Sequence, residues 1–209
     1  MTAQEKFDLA YKYLTGDGVA VDVAKAAGLF EEAAEAGIAG ALYYLAMIIQ
    51  GFDPQGAIEL YEKYLDKRPD DSDALFALGA LYCDWKKPQQ WNPEKGQRFL
   101  ERFEIIKDKN GGVKKLPFYT CMELGEIYAN SGLVRVRENY GKHDIKYIRK
   151  AKEYLEEAVA KGKENPNVPP ELLSLLEEQL SNQISRIEAH DAIVQGFNEL
   201  QHGLNKIIR

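Results

Sequence analysis

Three histidines, two cysteines and several adjacent carboxylates are the residues of this 209-residue chain that could serve as acids, bases, nucleophiles or metal ligands. Acid–base work needs two titratable groups converging on one reacting atom, and a metal centre needs three or four His, Cys or carboxylate ligands at a few recurrent spacings. His143, His190 and His202 do not meet the second condition: the last two are twelve residues apart and cannot share one helical turn. Glu31-Glu32, Glu156-Glu157 and Glu177-Glu178 are neighbours on helical stretches, where successive side chains diverge by about 100°, so each pair reads as a solvated face. Gly-x-Ser-x-Gly, a Walker-type Gly-Lys-Ser/Thr and His-Glu-x-x-His are all missing from the sequence. Cys83 and Cys121 stand at unrelated spacing and read as buried or idle thiols of a reducing compartment rather than as a disulfide. The expectation is a chain that is no enzyme and uses neither cofactor nor metal.

Composition bounds the rest. With 45 % hydrophobic and 29 % charged residues, the chain has the balance of a globular protein and enough apolar material for one continuous core. A net charge of −6 argues against bulk electrostatic binding to nucleic acid or to an anionic membrane. No apolar run approaches the roughly 18 residues of a membrane span. The longest apolar-rich window, Ala39 to Ile49, is broken by Gly40 and fits a buried helix. Met1 to Leu9 reads as the first turn of a helix and not as a signal peptide, so the expected location is cytoplasmic; delivery by a dedicated secretion machine would leave no mark in the sequence.

The elements that must position any binding residues announce themselves as a repeat. A Leu–small pair with a large apolar residue three positions on occurs at Leu9-Ala10…Tyr13, Leu45-Ala46…Ile49, Leu78-Gly79…Tyr82 and Leu124-Gly125…Tyr128. Each is followed by a small residue with apolar partners at plus three, four and seven: Ala26/Leu29/Phe30/Ala33, Ala57/Leu60/Tyr61/Tyr64, Gly96/Phe99/Leu100/Phe103 and Ala151/Tyr154/Leu155/Ala158. Two amphipathic helices per repeat mean helical hairpins piled in series. Leu9 and Leu45 are 36 residues apart, Leu45 and Leu78 are 33, and Leu78 and Leu124 are 46. The excess falls in Trp85 to Pro93 and Lys107 to Pro117, both punctuated by Pro or Gly, and a further insertion runs from Asn130 to Asp144. Asn165-Pro166…Pro169-Pro170 then interrupts the rhythm. Leu173, Leu176, Leu180, Ile184 and Ile187 follow as one apolar stripe, which either runs on through Ile193, Phe197, Leu200 and Leu204 or bends near residues 189–192. Two readings stand for this segment: a cap over the apolar end of the stack, or a seam through which two copies of the chain form a homodimer.

The first hairpin carries a family resemblance. Gly16-Asp-Gly18-Val19-Ala-Val-Asp22-Val-Ala-Lys25-Ala26, then Ala33-Ala34-Glu-Ala-Gly37 and Ala41, resembles the Sel1-like repeat, in which a Gly-containing loop joins two helices of tetratricopeptide type. The second unit, with its shorter Gln50-Gly51-Phe52-Asp53-Pro54 loop and Pro69, is closer to the plain tetratricopeptide pattern. The third and fourth keep only the small/large rhythm. The resemblance implies an all-α superhelix of about four hairpins over residues 1–163, closed by a helical extension over residues 164–209. It also implies protein–protein interaction as the function, through a concave groove lined by the first helix of each hairpin.

By register with that family, the groove positions are Gln4, Phe7 and Tyr11 in the first unit, and Tyr43, Met47 and Gln50 in the second. The third gives Phe76, with Asp73 and Asp84 beside it, and the fourth gives Tyr119, Met122, Glu126 and Asn130. Tyr and Met suit an adaptable peptide-binding surface, because they combine large contact area with a polar handle or a soft filler. Phe7, Tyr43, Phe76 and Met122 fit hairpin core equally well, whereas Tyr11, Met47 and Tyr119 are expected at the surface. The ligand would be a protein or peptide segment.

One rival surface is electrostatic. Between Lys107 and Lys152 stand eleven basic and five acidic residues, a local charge of +6 against −12 for the remainder, with Tyr140 and Tyr147 interleaved. An acidic protein segment or RNA could use such a patch, as could nothing at all if the loops are merely solvated. A further alternative is a regulatory subunit or an enzyme whose site is assembled from distant residues.

Overall fold

In the computed structural model the described residues are 1–84, 86–138 and 144–207, without the side chains of 114, 131–138, 144, 197 and 200–207. The chain is all-α: nine α-helices and one short 3-10 turn, with no strand among the described residues. It divides into two compact units, Met1–Lys109 and Asn110–Arg209.

The first unit holds α1 (Ala3–Thr15), α2 (Val23–Glu35), α3 (Ala39–Ile49), α4 (Pro54–Lys67), α5 (Ser72–Cys83) and α6 (Pro93–Asp108). Their starts are written in short polar residues that satisfy free backbone N–H groups. Thr2 and Glu5 form a reciprocal capping box, Asp22 accepts from the Lys25 N–H, and Asp71 accepts from the N–H groups of Asp73 and Ala74. Asp53 and Asn92 cap in the same way, each followed by a proline at the first helical position. Gly16 ends α1 in the left-handed conformation with φ 79°, where a side chain would be strained.

Each helix packs mainly on its neighbours in chain order, α1 on α2, α2 on α3, and so on to α6. The small residues of the repeat are the crossing points. Ala10, Ala26, Ala46 and Ala57 are fully buried, and Gly79 and Gly96 bring α5 and α6 almost backbone to backbone. Around the alanines Phe30, Ala33 and Ala41 complete a core against which Phe7, Tyr44, Leu45 and Ile48 are packed. Farther along, Lys95 donates to Glu62 Oε1 at 2.6 Å and to the Tyr82 hydroxyl at 2.6 Å, while that hydroxyl donates to the same carboxylate at 2.7 Å. Burial alone would raise the Glu62 carboxyl, but these hydrogen bonds and the ammonium charge hold it below its ordinary value.

The second unit holds the 3-10 turn Val113–Lys115, α7 (Phe118–Glu138), α8 (Asp144–Glu164) and α9 (Pro170–Ile207). Residues 130–138 of the anticipated insertion extend α7 rather than form a loop. Gly125 lets α7 approach Leu155 of α8, repeating the logic of Gly79. Leu124, Cys121, Ala151, Leu155 and Ala158 are fully buried between these helices. α9 is one continuous helix through residues 189–192, with both Gly196 and Gly203 inside it. It lies antiparallel to α8, tied by Lys163–Glu177 at 2.8 Å and Arg149–Asp191 at 2.9 Å. Leu176 is buried on that side, whereas Leu175, Ile193 and Val194 are exposed. No helix is long and apolar enough to cross a membrane among the described residues.

Candidate functional site

Helices α1, α3 and α4 of the first unit carry a continuous set of tyrosine rings. Tyr11 on α1 meets Tyr44 on α3 edge to face, with centroids 5.4 Å apart. Tyr44 meets Tyr43 at 5.4 Å, and Tyr43 meets Tyr64 of α4 at 5.5 Å. The Tyr64 hydroxyl donates to Asp71 Oδ2 at 2.7 Å, which joins the rings to the start of α5. Beneath them Phe30 stacks on Tyr44 at 5.2 Å, and Phe7 wedges against both. Tyr11 remains 43 % exposed, Tyr43 and Tyr44 are half-buried, and Asp73 is exposed beside them. Rings seated on a packed core present fixed apolar faces with hydroxyls at their edge, which suits contact with a peptide better than chemistry.

The other expected groove residues divide. Phe7 lies in the floor, and Phe76 packs on Phe103 at 5.4 Å. Gln4 is exposed and donates to Asp8 Oδ1, and Met47 is half-buried. Gln50 and Asp84 sit at the far ends of α3 and α5 and are engaged by the protein itself. The Gln50 side-chain oxygen accepts from the Tyr61 hydroxyl at 3.4 Å, its carbonyl accepts from Lys87 at 3.4 Å, and Lys87 lies 3.9 Å from Asp84. Tyr119, Met122, Glu126 and Asn130 all lie on α7, in the second unit; there Tyr119 is 61 % exposed and rests edge-on against Phe118. Tyr44, Tyr64 and Asp71 were not among the expected residues. The doubled Tyr43-Tyr44 was a usable signal for the first, but nothing local linked Tyr64 or the N-cap Asp71 to α3.

The pKa values of the Tyr43, Tyr44 and Tyr64 hydroxyls are all shifted upward. Burial, reinforced by the charges of Asp73 and Asp71 and by Tyr44, pushes the Tyr43 hydroxyl up to about 12. Burial and the hydrogen bond to Asp71 do the same for Tyr64, also to about 12. The folded state thus holds more protons than the unfolded chain between pH 10, the ordinary phenol value, and pH 12. Their contribution to stability is whole below pH 10 and is lost as the pH climbs through that window. Titration from pH 9 to 12 is expected to lose helical circular dichroism together with a rise in phenolate absorbance, and Tyr64→Phe to flatten the response. Full phenolate absorbance centred on pH 10 with the helices intact would contradict this.

The basic region offers less than its sequence suggests. Tyr147 is buried and stacked on Tyr128 at 6.0 Å, with Lys150 standing over the Tyr128 ring at 5.0 Å, so these rings cannot stack on bases. Tyr140, Lys142, His143 and Trp85, and the side chains of Lys114, Arg135, Arg137 and His202, lie outside the described residues. His190 lies 3.1 Å from Asp191 at the protein surface. No group of three His, Cys, Asp or Glu residues that could hold a metal occurs among the described residues. Both cysteines are buried and outside any disulfide, and burial raises the Cys121 thiol to about 11.

Among solved structures, the chain is similar to a protective antigen of uropathogenic Escherichia coli strains that displays an SLR fold, at 23 % identity and a TM-score of 0.49. That match covers 77 % of this chain and 31 % of the antigen, so the chain spans about a third of its length. It is also similar to a Sel1 repeat protein from Oxalobacter formigenes, at 17 % identity and a TM-score of 0.47, over 87 % of this chain and 73 % of that one. No family model and no curated protein matches the sequence.

Proposed function

We propose that the chain is a protein–protein interaction module, an adaptor or scaffold that grips a segment of a partner protein on the tyrosine-lined face of its first unit. The observation that carries this reading is the contiguous run of Tyr11, Tyr44 and Tyr43, accessible in part and locked from below by Phe30 and Phe7. A surface already ordered before binding saves the entropy of ordering it, so a modest area can hold an extended or helical peptide. Met47 adds an adaptable edge, and Tyr119, Met122, Glu126 and Asn130 provide a separate contact face on α7. Neither a cofactor nor catalysis is required.

Affinity capture from the native cell, comparing the parent chain with Tyr11→Ala/Met47→Ala, tests the assignment. The double variant is expected to keep its helical spectrum, since Tyr11 is largely at the surface and Met47 half-buried, and to lose its partner. Retention of every captured protein by the folded variant would remove the tyrosine face from consideration.

A further inference from the structure

The charge around the tyrosine face specifies what kind of segment fits it. Residues 1–84 contain fifteen acidic and six basic side chains, a net charge of −9 within a chain whose total is −6. Asp71 and Asp73 lie close enough to bias the Tyr43 hydroxyl, and Asp71 also acts on Tyr44. Asp71 spends its oxygens on the Tyr64 hydroxyl and on the first N–H groups of α5, whereas exposed Asp73 has only a 3.4 Å contact from Ser72 Oγ and no ion pair among the described residues. A second, independent observation comes from the rings. Elsewhere the chain places its own lysines over aromatic faces: Lys25 over Tyr13 at 5.3 Å, Lys95 over Tyr82 at 4.6 Å and Lys150 over Tyr128 at 5.0 Å. Tyr11, Tyr43 and Tyr44 have no Lys or Arg above them among the described residues, although Tyr13 and Tyr82 of the same acidic stretch do. A ring face is negative, and a carboxylate at its edge deepens that potential; both attract a cation, Arg most of all because its planar guanidinium can stack and hydrogen-bond at once.

We propose that the occupant of this face is a basic segment of a partner protein, in which an Arg or Lys lies over the Tyr43–Tyr44 rings within reach of Asp73 while an adjacent apolar side chain rests on Tyr11 and Met47. The inference rests on the reading of that face as a peptide groove. It gives the fringe of carboxylates a role in choosing the partner: basic sequences are drawn in, and acidic ones are repelled by the net charge of the region.

A displayed library of random twelve-residue peptides, panned against the full chain, separates the two ideas. Enriched peptides are expected to carry an excess of Arg and Lys beside apolar residues. A synthetic copy should bind about tenfold more weakly to Asp73→Lys, and about tenfold more weakly again when salt is raised from 0.05 to 0.5 M. Asp73 is not the cap of α5 but the acidic residue of its first turn, so the charge reversal costs a little helix stability and circular dichroism checks that the fold remains; Asp73→Asn supplies a milder variant with the same expected direction. Neutral or acidic peptides that nevertheless fail to bind Tyr11→Ala/Met47→Ala would overturn the charge inference and leave the groove standing. A panning that returns no peptide sensitive to that double variant overturns both.

Discussion

Replacing Gly96 with valine is expected to destabilise the first unit by about 3 kcal/mol or more, the upper range for overfilling a packed interior. The reason is a contact between backbones. A Cβ built on Gly96 would lie 2.5 Å from Cys83 Sγ, 2.8 Å from the Gly79 carbonyl oxygen and 3.0 Å from Tyr82 Cβ. The sulfur could turn aside; the carbonyl belongs to the middle of α5 and could not. Gly79 faces the same restriction in reverse, since its Cβ would fall 2.7 Å from Leu100 Cγ and 3.2 Å from the Gly96 oxygen. Gly28 is the matched control. It is also inside a helix, but an added Cβ meets nothing within 4 Å, so Gly28→Ala should stabilise by up to about 1 kcal/mol through helix propensity alone. Urea denaturation of the two variants should move the midpoint in opposite directions. Equal midpoints would mean that α5 and α6 are not in such close contact.

Phe30→Ala is expected to cost about 3–5 kcal/mol, the range for removing a fully enclosed aromatic ring. Phe30 has no exposed surface, stacks on Tyr44 at 5.2 Å and meets Phe7 edge-on at 5.5 Å. Its loss leaves a hole beneath Tyr44, which in turn supports Tyr11. The variant should therefore show two effects at separate urea concentrations: weaker near-ultraviolet dichroism from the tyrosines while helices persist, then an early unfolding midpoint. Peptide binding should fall with the first effect. An unchanged tyrosine signal in Phe30→Ala would separate the surface rings from the core that this structure places under them.

Much of the architecture was legible in the sequence because its signals are local. The caps Asp22, Asp53-Pro54 and Asn92-Pro93, the stop at Gly16 and the start at Pro170 each satisfy or forbid backbone hydrogen bonds within one turn. The small residues Ala10, Ala26, Gly79 and Gly96 reveal helix crossings because only a small side chain permits them. The surface was harder to read. Tyr43 and Tyr44 differ by one step around α3, and sequence alone could not tell which of them would face Tyr11 and which Tyr64. Gln50 and Asp84 occupied suitable register positions, but Tyr61 and Lys87, both well removed in sequence from Gln50, had already engaged it, and Lys87 also reaches back to Asp84. Asp71 belongs to the tyrosine cluster through a hydrogen bond between two turns of different helices, and no periodicity records that. The apparent insertion after Asn130 was helical at least through Glu138 because its residues continue α7 without Gly or Pro at the boundary, the lone Gly132 being tolerated inside.

The chain-order packing of α1 to α6 has a kinetic corollary. A polymer whose segments are held chiefly by the segments before and after them can melt from an end like a zipper, without waiting for one collective event. Amide protons of α1, which packs chiefly on α2, should then exchange with solvent through a cheaper opening than those of α4 and α5, which are gripped on both sides. Injury near the N-terminus would spread only as far as the next intact hairpin, and the protein could lose its leading turn of structure while the centre of the first unit held.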